Sequence, residues 1–200
     1  MNRLVIIGAS GHGKVVADIA TLNGYKDIVF LDNDPEIKNC AGYPVLGPDT
    51  MTSELDGDVF VAVGNAETRK RLMERDMARS FPALIHPSAV IAKSAEVSAG
   101  SVVMAGAVIN PGARIGKGCI INTSSSVDHD CVVGDYVHIS VGAHLSGTVV
   151  VGTGTWIGTG AIVSNNVNIG GECIIGAGAV VIKDILEAGT YIGVPARKNK

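Results

Sequence analysis

Two hundred residues are enough for one large domain or two small ones, and 16 basic against 19 acidic side chains give a net charge of −3 with no long like-charge run. That balance argues against a surface built for nucleic acid or an anionic membrane and points to small-molecule partners. No apolar run approaches the roughly 20 residues needed to span a bilayer, and no charged-then-apolar leader opens the chain, so a cytoplasmic protein without membrane insertion is expected.

Leu4-Val5-Ile6-Ile7 is a short, wholly apolar run ending at a glycine-rich turn, the pattern of a buried parallel strand. After Gly8-Ala9-Ser10-Gly11-His12-Gly13-Lys14, the apolar residues Val15, Val16, Ile19 and Leu22 lie at helical spacing, and Asn23-Gly24 supplies the stop. A second strand, Ile28 to Leu31, runs into Asp32-Asn33-Asp34-Pro35, followed by a turn-rich loop that holds Cys40. A third strand, Val59 to Val63, meets Gly64-Asn65, and Glu67 to Arg79 reads as a charged surface helix. Strands alternating with helices predict a small Rossmann-like parallel sheet over residues 1–82.

The first turn fits neither common nucleotide motif. Gly8 to Lys14 has G-x-x-x-x-G-K spacing, but Val15 stands where the magnesium-binding hydroxyl would be. The dinucleotide spacing G-x-G-x-x-G is absent, because the glycines fall at Gly8, Gly11 and Gly13. What remains is general chemistry: backbone amides at a helix start can meet an anion, and Asp32, ending the second strand, can accept ribose hydroxyls. A sugar nucleotide satisfies both; a tight turn with no ligand is the alternative.

From Ile85 to Val181 every sixth residue is aliphatic without an inserted residue, and the position four residues later is mostly small, as at Ala89, Ser101, Ala113, Cys119, Cys131, Ala143, Ala161 and Cys173. No helix or ordinary strand has period six. Three hexads make one triangular coil of a parallel β-helix, so the sixteen complete hexads predict just over five coils within residues 83–200. Glycines that follow the aliphatics, such as Gly116, Gly134 and Gly152, are expected to take unusual backbone angles at tight corners. The three cysteines in the small slot are expected to be core residues rather than ligands or disulfide partners.

Histidine is the usual base for acyl transfer. His129, His138 and His144 take outward places in their hexads, and His86 precedes a proline at the domain junction, where it reads as a turn residue. The run Asn122-Thr123-Ser124-Ser125-Ser126-Val127-Asp128-His129-Asp130 flanks one histidine with two carboxylates, and a carboxylate on the far ring nitrogen orients an imidazole and strengthens it as a base. A solvated prism face is the alternative reading.

The hexads, with Tyr191-Ile192-Gly193-Val194-Pro195-Ala196-Arg197 at their end, resemble the left-handed β-helix of the hexapeptide acyltransferases. With the S-G-H turn and the N-T-S-S-x-x-D-H-D run, essentially the whole chain resembles the PglD and NeuD type of bacterial sugar acetyltransferase. That resemblance implies a homotrimer with sites between subunits that transfers acetyl from acetyl-CoA, without a metal, to the 4-amino group of a UDP-linked 4-amino-4,6-dideoxy sugar. It implies that His129 is the general base and Asp130 its partner, that His138, Thr159 and Ala177 meet acetyl-CoA, and that Ser10, Gly11, His12, Asp32, Asn33 and Gly64 bind the nucleotide sugar. Thr159, Ala177 and Asn33 depart from the residue types usual in the family. Two alternatives stay open: O-acetylation of sialic acid, and a non-catalytic or metal-binding hexapeptide protein.

Overall fold

The computed structural model describes residues 3–199. Its first part is a sheet in which β1 (Arg3–Ile7) lies between β2 (Asp27–Leu31) and β5 (Asp58–Val61), parallel to both. Helix α1 (Gly11–Leu22) joins β1 to β2, and α2 (Ala66–Arg75) follows β5. The stretch after β2, expected to be loop, contains a hairpin, β3 (Asn39–Cys40) with β4 (Tyr43–Gly47), and β4 pairs parallel with β2. Pro44 is tolerated there because the strand is short and irregular, with a register shift opposite Phe30 and Leu31. Cys40 is therefore buried in a strand rather than alone in a loop. The sheet order β3-β4-β2-β1-β5 reverses direction at β1, so the loops after β1 and β5 diverge and leave a crevice at their carboxyl ends.

The second part is a triangular prism. Strands eighteen residues apart pair in parallel, as Ile121 with Ile139 and Val127 with Leu145. Three faces result. The first runs from Leu84–Ile85 through Ile120–Ile121, His138–Ile139 and Trp156–Ile157 to Gly189–Ile192; the second contains Ser126–Val127 and His144–Leu145; the third contains Arg114–Ile115 and Val132–Val133. The aliphatic and small positions fill the interior together, with Cys119, Cys131 and Cys173 wholly buried and free. Stacking outlasts the hexads: Ile169 bridges Ile185 and Ile175 pairs Tyr191, sixteen residues on, so a shortened coil continues the prism.

The corner geometry differs from expectation. Left-handed backbone angles fall three residues after each aliphatic from Val97 to Ile175, at Gly118 (φ +62°) and Asp130 (φ +58°) for example, not at the residue immediately following. Gly116 and Gly134 are needed for a different reason: a Cβ at either would press into the backbone of the next coil, 2.7 Å from Asp135 N and 2.8 Å from Thr153 N respectively. Asp is among the few non-glycine types that tolerate the left-handed region.

The sheet sits on the first face of the prism. Leu84, Val102 and Ile120 point out of the prism yet are buried, because α1 covers them with Val16, Ile19 and Ala20. Full burial of a side chain such as Ile120 contributes about 1.5–3 kcal/mol. On the other side of the sheet, Leu72 and Met73 of α2 pack with Tyr136. Helix α2 is shorter than the expected Glu67 to Arg79, and it is not wholly a surface helix: Arg69 is 1% exposed. Arg69 donates from Nε to Gly118 O (2.6 Å), from Nη2 to Tyr136 O (2.7 Å), and from Nη1 to Val63 O (2.8 Å) and Gly64 O (2.9 Å). One guanidinium thus ties the loop after β5 to two turns of the prism.

Candidate active site

Ser10 ends the turn after β1 and precedes α1, with His12 in the first turn of the helix. A Cβ at Gly8 would meet Ala62 O at 2.8 Å, and one at Gly13 would collide with Gly8 O, so the chain needs both glycines to bring helix and strands this close. At Gly11 a Cβ would touch nothing, so that position faces open space. Asp32 accepts from Ala9 N (2.7 Å) and Asp34 N (3.0 Å), which fixes its carboxylate beside the turn. Asn33 is held by Asp49, which accepts from its Nδ2 (2.8 Å), while Asn33 Oδ1 accepts from Asp49 N (3.1 Å). Gly64 precedes Asn65, whose side chain caps α2 by accepting from Thr68 N (2.8 Å). The six residues expected to bind the nucleotide sugar thus line the carboxyl edge of one sheet.

Across the crevice stands His138, on the first face of the prism. It stacks on Trp156 one coil above, with ring centroids 5.7 Å apart and planes 5° from parallel, and its Nε2 lies 3.2 Å from Asn122 Nδ2. Trp156 is fixed in turn by its indole N–H, which donates to Ser140 Oγ (2.6 Å). Burial, with the positive charge of Arg69 and the neighbouring His12, lowers the His138 pKa to about 4. Burial and Arg69 lower His12 to the same value, and its Nε2 is buried without a hydrogen-bond partner. Both imidazoles are neutral at neutral pH.

His129 and Asp130 lie elsewhere, on the corner between the second and third faces. Asp130 Oδ2 is 2.9 Å from His129 Nδ1 and both side chains are largely exposed. A carboxylate only accepts, so Nδ1 carries the proton and Nε2 keeps its lone pair. The hydrogen bond from His129 to Asp130 raises the imidazole's pKa, and the negative charge of Asp128 adds to the effect. Asp128 is itself held ionised by Asn110 Nδ2 (2.7 Å) and His129 N (2.8 Å). Gly147, one coil above, makes room for the ring: a Cβ there would collide with His129 Nε2. Thr159 and Ala177 are exposed and stacked at the corner between the first and second faces, where Gly178 N donates to Thr159 O (2.8 Å). The remaining histidines serve local structure, His86 by accepting from Ser88 N (3.0 Å) and His144 by pairing with Ser126 Oγ (2.8 Å).

Within one chain, then, the sheet residues and His138 come together, whereas His129–Asp130 and Thr159–Ala177 occupy two other corners. Arg69, Gly147 and Trp156 were not singled out from the sequence. An offset of eighteen residues, applied to His129 and His138, finds the last two. Among the described residues no group of three or more His, Cys, Asp or Glu side chains is placed to hold a metal ion, and no helix is long and apolar enough to cross a membrane.

Residues 3–75 match the family of the PglD N-terminal domain. The acetyltransferase domain of PglB from Neisseria gonorrhoeae FA1090, solved in complex with acetyl coenzyme A, is 43% identical, with each chain fully covered and a TM-score of 0.96. PerB from Caulobacter crescentus, solved with CoA and GDP-perosamine, is 37% identical over all of this chain and 98% of its own, with a TM-score of 0.93. UDP-N-acetylbacillosamine N-acetyltransferase of Bacillus subtilis (strain 168) is 41% identical over 109 residues, a match spanning half of this chain and half of that protein. The chain belongs to the PglD-type sugar acetyltransferases of the hexapeptide acyltransferase superfamily, with their left-handed β-helix.

Proposed function

We propose that the protein is an acetyl-CoA-dependent N-acetyltransferase acting on the 4-amino group of a nucleotide-linked 4-amino-4,6-dideoxy sugar. The observation that supports this reading is the His129–Asp130 pair: an outward imidazole with its Nδ1 bound to a carboxylate has its Nε2 lone pair available to take a proton from an amine. In support, a histidine is the residue replaced in two of the solved perosamine N-acetyltransferase complexes with CoA and GDP-perosamine.

In the proposed reaction the amine nitrogen attacks the thioester carbonyl carbon while His129 Nε2 takes its proton. The C–S bond then breaks, and the departing thiolate of CoA recovers that proton from the imidazolium. Asp130 holds the ring and stabilises its cationic form. Residues 1–82 would bind the nucleotide sugar through Ser10, Gly11, His12, Asp32, Asn33 and Gly64. Residues 83–200 would bind acetyl-CoA through His138, Thr159 and Ala177.

Because His129 sits on a different corner from the other two groups, we place the complete site between subunits of a homotrimer, where one chain's His129 meets the neighbour's His138. A cytoplasmic location fits a protein whose proposed substrates are a nucleotide sugar and acetyl-CoA. The acceptor is tested by following thiol release with a UDP-linked 4-amino-4,6-dideoxy sugar, GDP-perosamine and free sialic acid. Turnover with an amino sugar is the expected result; turnover with sialic acid alone would replace N- by O-acetylation.

A further inference from the structure

Trp156 is the only tryptophan in the chain, and it is 49% exposed. Tryptophan is mostly buried in folded proteins, whereas this indole is half exposed and yet immobilised, by the stack on His138 and by the hydrogen bond from its N–H to Ser140 Oγ. It also lines a cavity of about 490 Å³ between the prism and the start of α2, together with Ile174, His138, Gly64, Glu67 and Glu172. One wall therefore carries the apolar side chains of Trp156 and Ile174. The opposite wall belongs to the loop after β5, at the edge where a doubly wound sheet meets its ligand. Two carboxylates, Glu67 and Glu172, stand on the rim.

Resting on the function proposed above, we infer that Trp156 is the platform on which the pyranose ring of the acceptor sugar is seated. A 6-deoxy sugar presents ring C–H groups and a methyl on one side, which suits the face of an indole. Its amine, cationic when protonated, suits a rim with two carboxylates. The cavity is continuous with Gly64 on the sheet edge, so a nucleotide held by the sheet can extend its sugar into the cavity without leaving that edge. Of the residues proposed for acetyl-CoA, Thr159 and Ala177 lie on another corner and line none of it, while His138 lines it at the place where the donor and acceptor sites would meet. Trp156 would accordingly set acceptor specificity, favouring a 6-deoxy sugar over its 6-hydroxy counterpart.

A single tryptophan allows a direct test by intrinsic fluorescence. Titration with a UDP-linked 4-amino-4,6-dideoxy sugar or GDP-perosamine should alter Trp156 emission more than UDP or GDP does, and more than acetyl-CoA alone does. In turnover, Trp156→Ala should raise the acceptor KM about tenfold, a loss of one aromatic contact, with the acetyl-CoA KM within about twofold. Trp156→Phe should recover most of the affinity. Emission that responds more strongly to acetyl-CoA than to the sugar nucleotides, with the acetyl-CoA KM raised in Trp156→Ala, would assign the platform to the donor and overturn the inference. So would unchanged emission and an unchanged acceptor KM. If the wild type transfers acetyl to no amino sugar, the proposed function fails instead, and the fluorescence titration still decides whether the sugar nucleotide reaches Trp156.

Discussion

His129 Nε2 lies over Gly147, one coil above, at a distance that only a residue without Cβ permits. Gly147 has no left-handed backbone angle, so alanine fits its conformation and the substitution acts through the ring alone. Gly147→Ala is expected to leave the prism folded and to lower kcat by displacing the proposed base, with both KM values little changed. Wild-type kcat in a folded Gly147→Ala protein would show that the ring has no fixed working position.

Asp130 supplies the hydrogen bond that raises the His129 pKa above its ordinary value, and the proposed general base would work only when deprotonated. Activity in the wild type should therefore fall on the acid side of a midpoint above about 6.5. In Asp130→Asn the midpoint should move down toward that value while the plateau rate drops, since orientation and basicity are both reduced. A profile that stays in place would disconnect the two residues.

Gly11 faces open space, whereas Gly8 and Gly13 are locked into packing. Gly11→Val should fold normally and raise the acceptor KM, because the new side chain obstructs only what approaches the turn from outside. A raised acetyl-CoA KM with an unchanged acceptor KM would exchange the two proposed sites.

His12 and His138 titrate near 4 in the folded protein and near 6.5 when unfolded. Between those values the unfolded chain binds protons that the folded chain does not, so stability is full above about 6.5 and declines as pH falls toward 4. The Tm of the wild type should drop across that window, and His12→Gln should flatten the drop. Equal slopes in the two proteins would remove His12 from this linkage.

The prism was legible because its aliphatic period of six is local and unbroken, and the His129–Asp130 pair because both residues lie in one short polar run. Arg69 was not legible. Its neighbours Thr68, Lys70 and Arg71 give the segment the look of a solvated helix, and its burial arises from Gly118 and Tyr136, which are distant in sequence. Strand β4 was hidden by Pro44 and Gly47, residues typical of turns; it exists because β2 offers an edge to pair with. The left-handed corners were misplaced because glycine answers two demands in a coil, a positive φ at Gly118 and the absence of Cβ against the next coil at Gly116.

That burial makes Arg69 a stability residue as well. Arg69→Met removes the donor from four backbone carbonyls at the junction of sheet and prism, and the loss should be about 3 kcal/mol or more. Arg69→Lys should restore only part of it, because one ammonium cannot span the same four acceptors. Denaturation midpoints within experimental error of the wild type would mean that water replaces the guanidinium at little expense.

The proposed chemistry rests on His129 Nε2, and the most direct test is the rate of acetyl transfer to a nucleotide-linked 4-amino sugar by His129→Asn at saturating acetyl-CoA and acceptor. The exposed position leaves no core cavity, so the variant should match the wild type in circular dichroism and Tm while transferring acetyl roughly 10²–10⁴-fold more slowly. Transfer at the wild-type rate by the folded variant would contradict the assignment of His129 as the base.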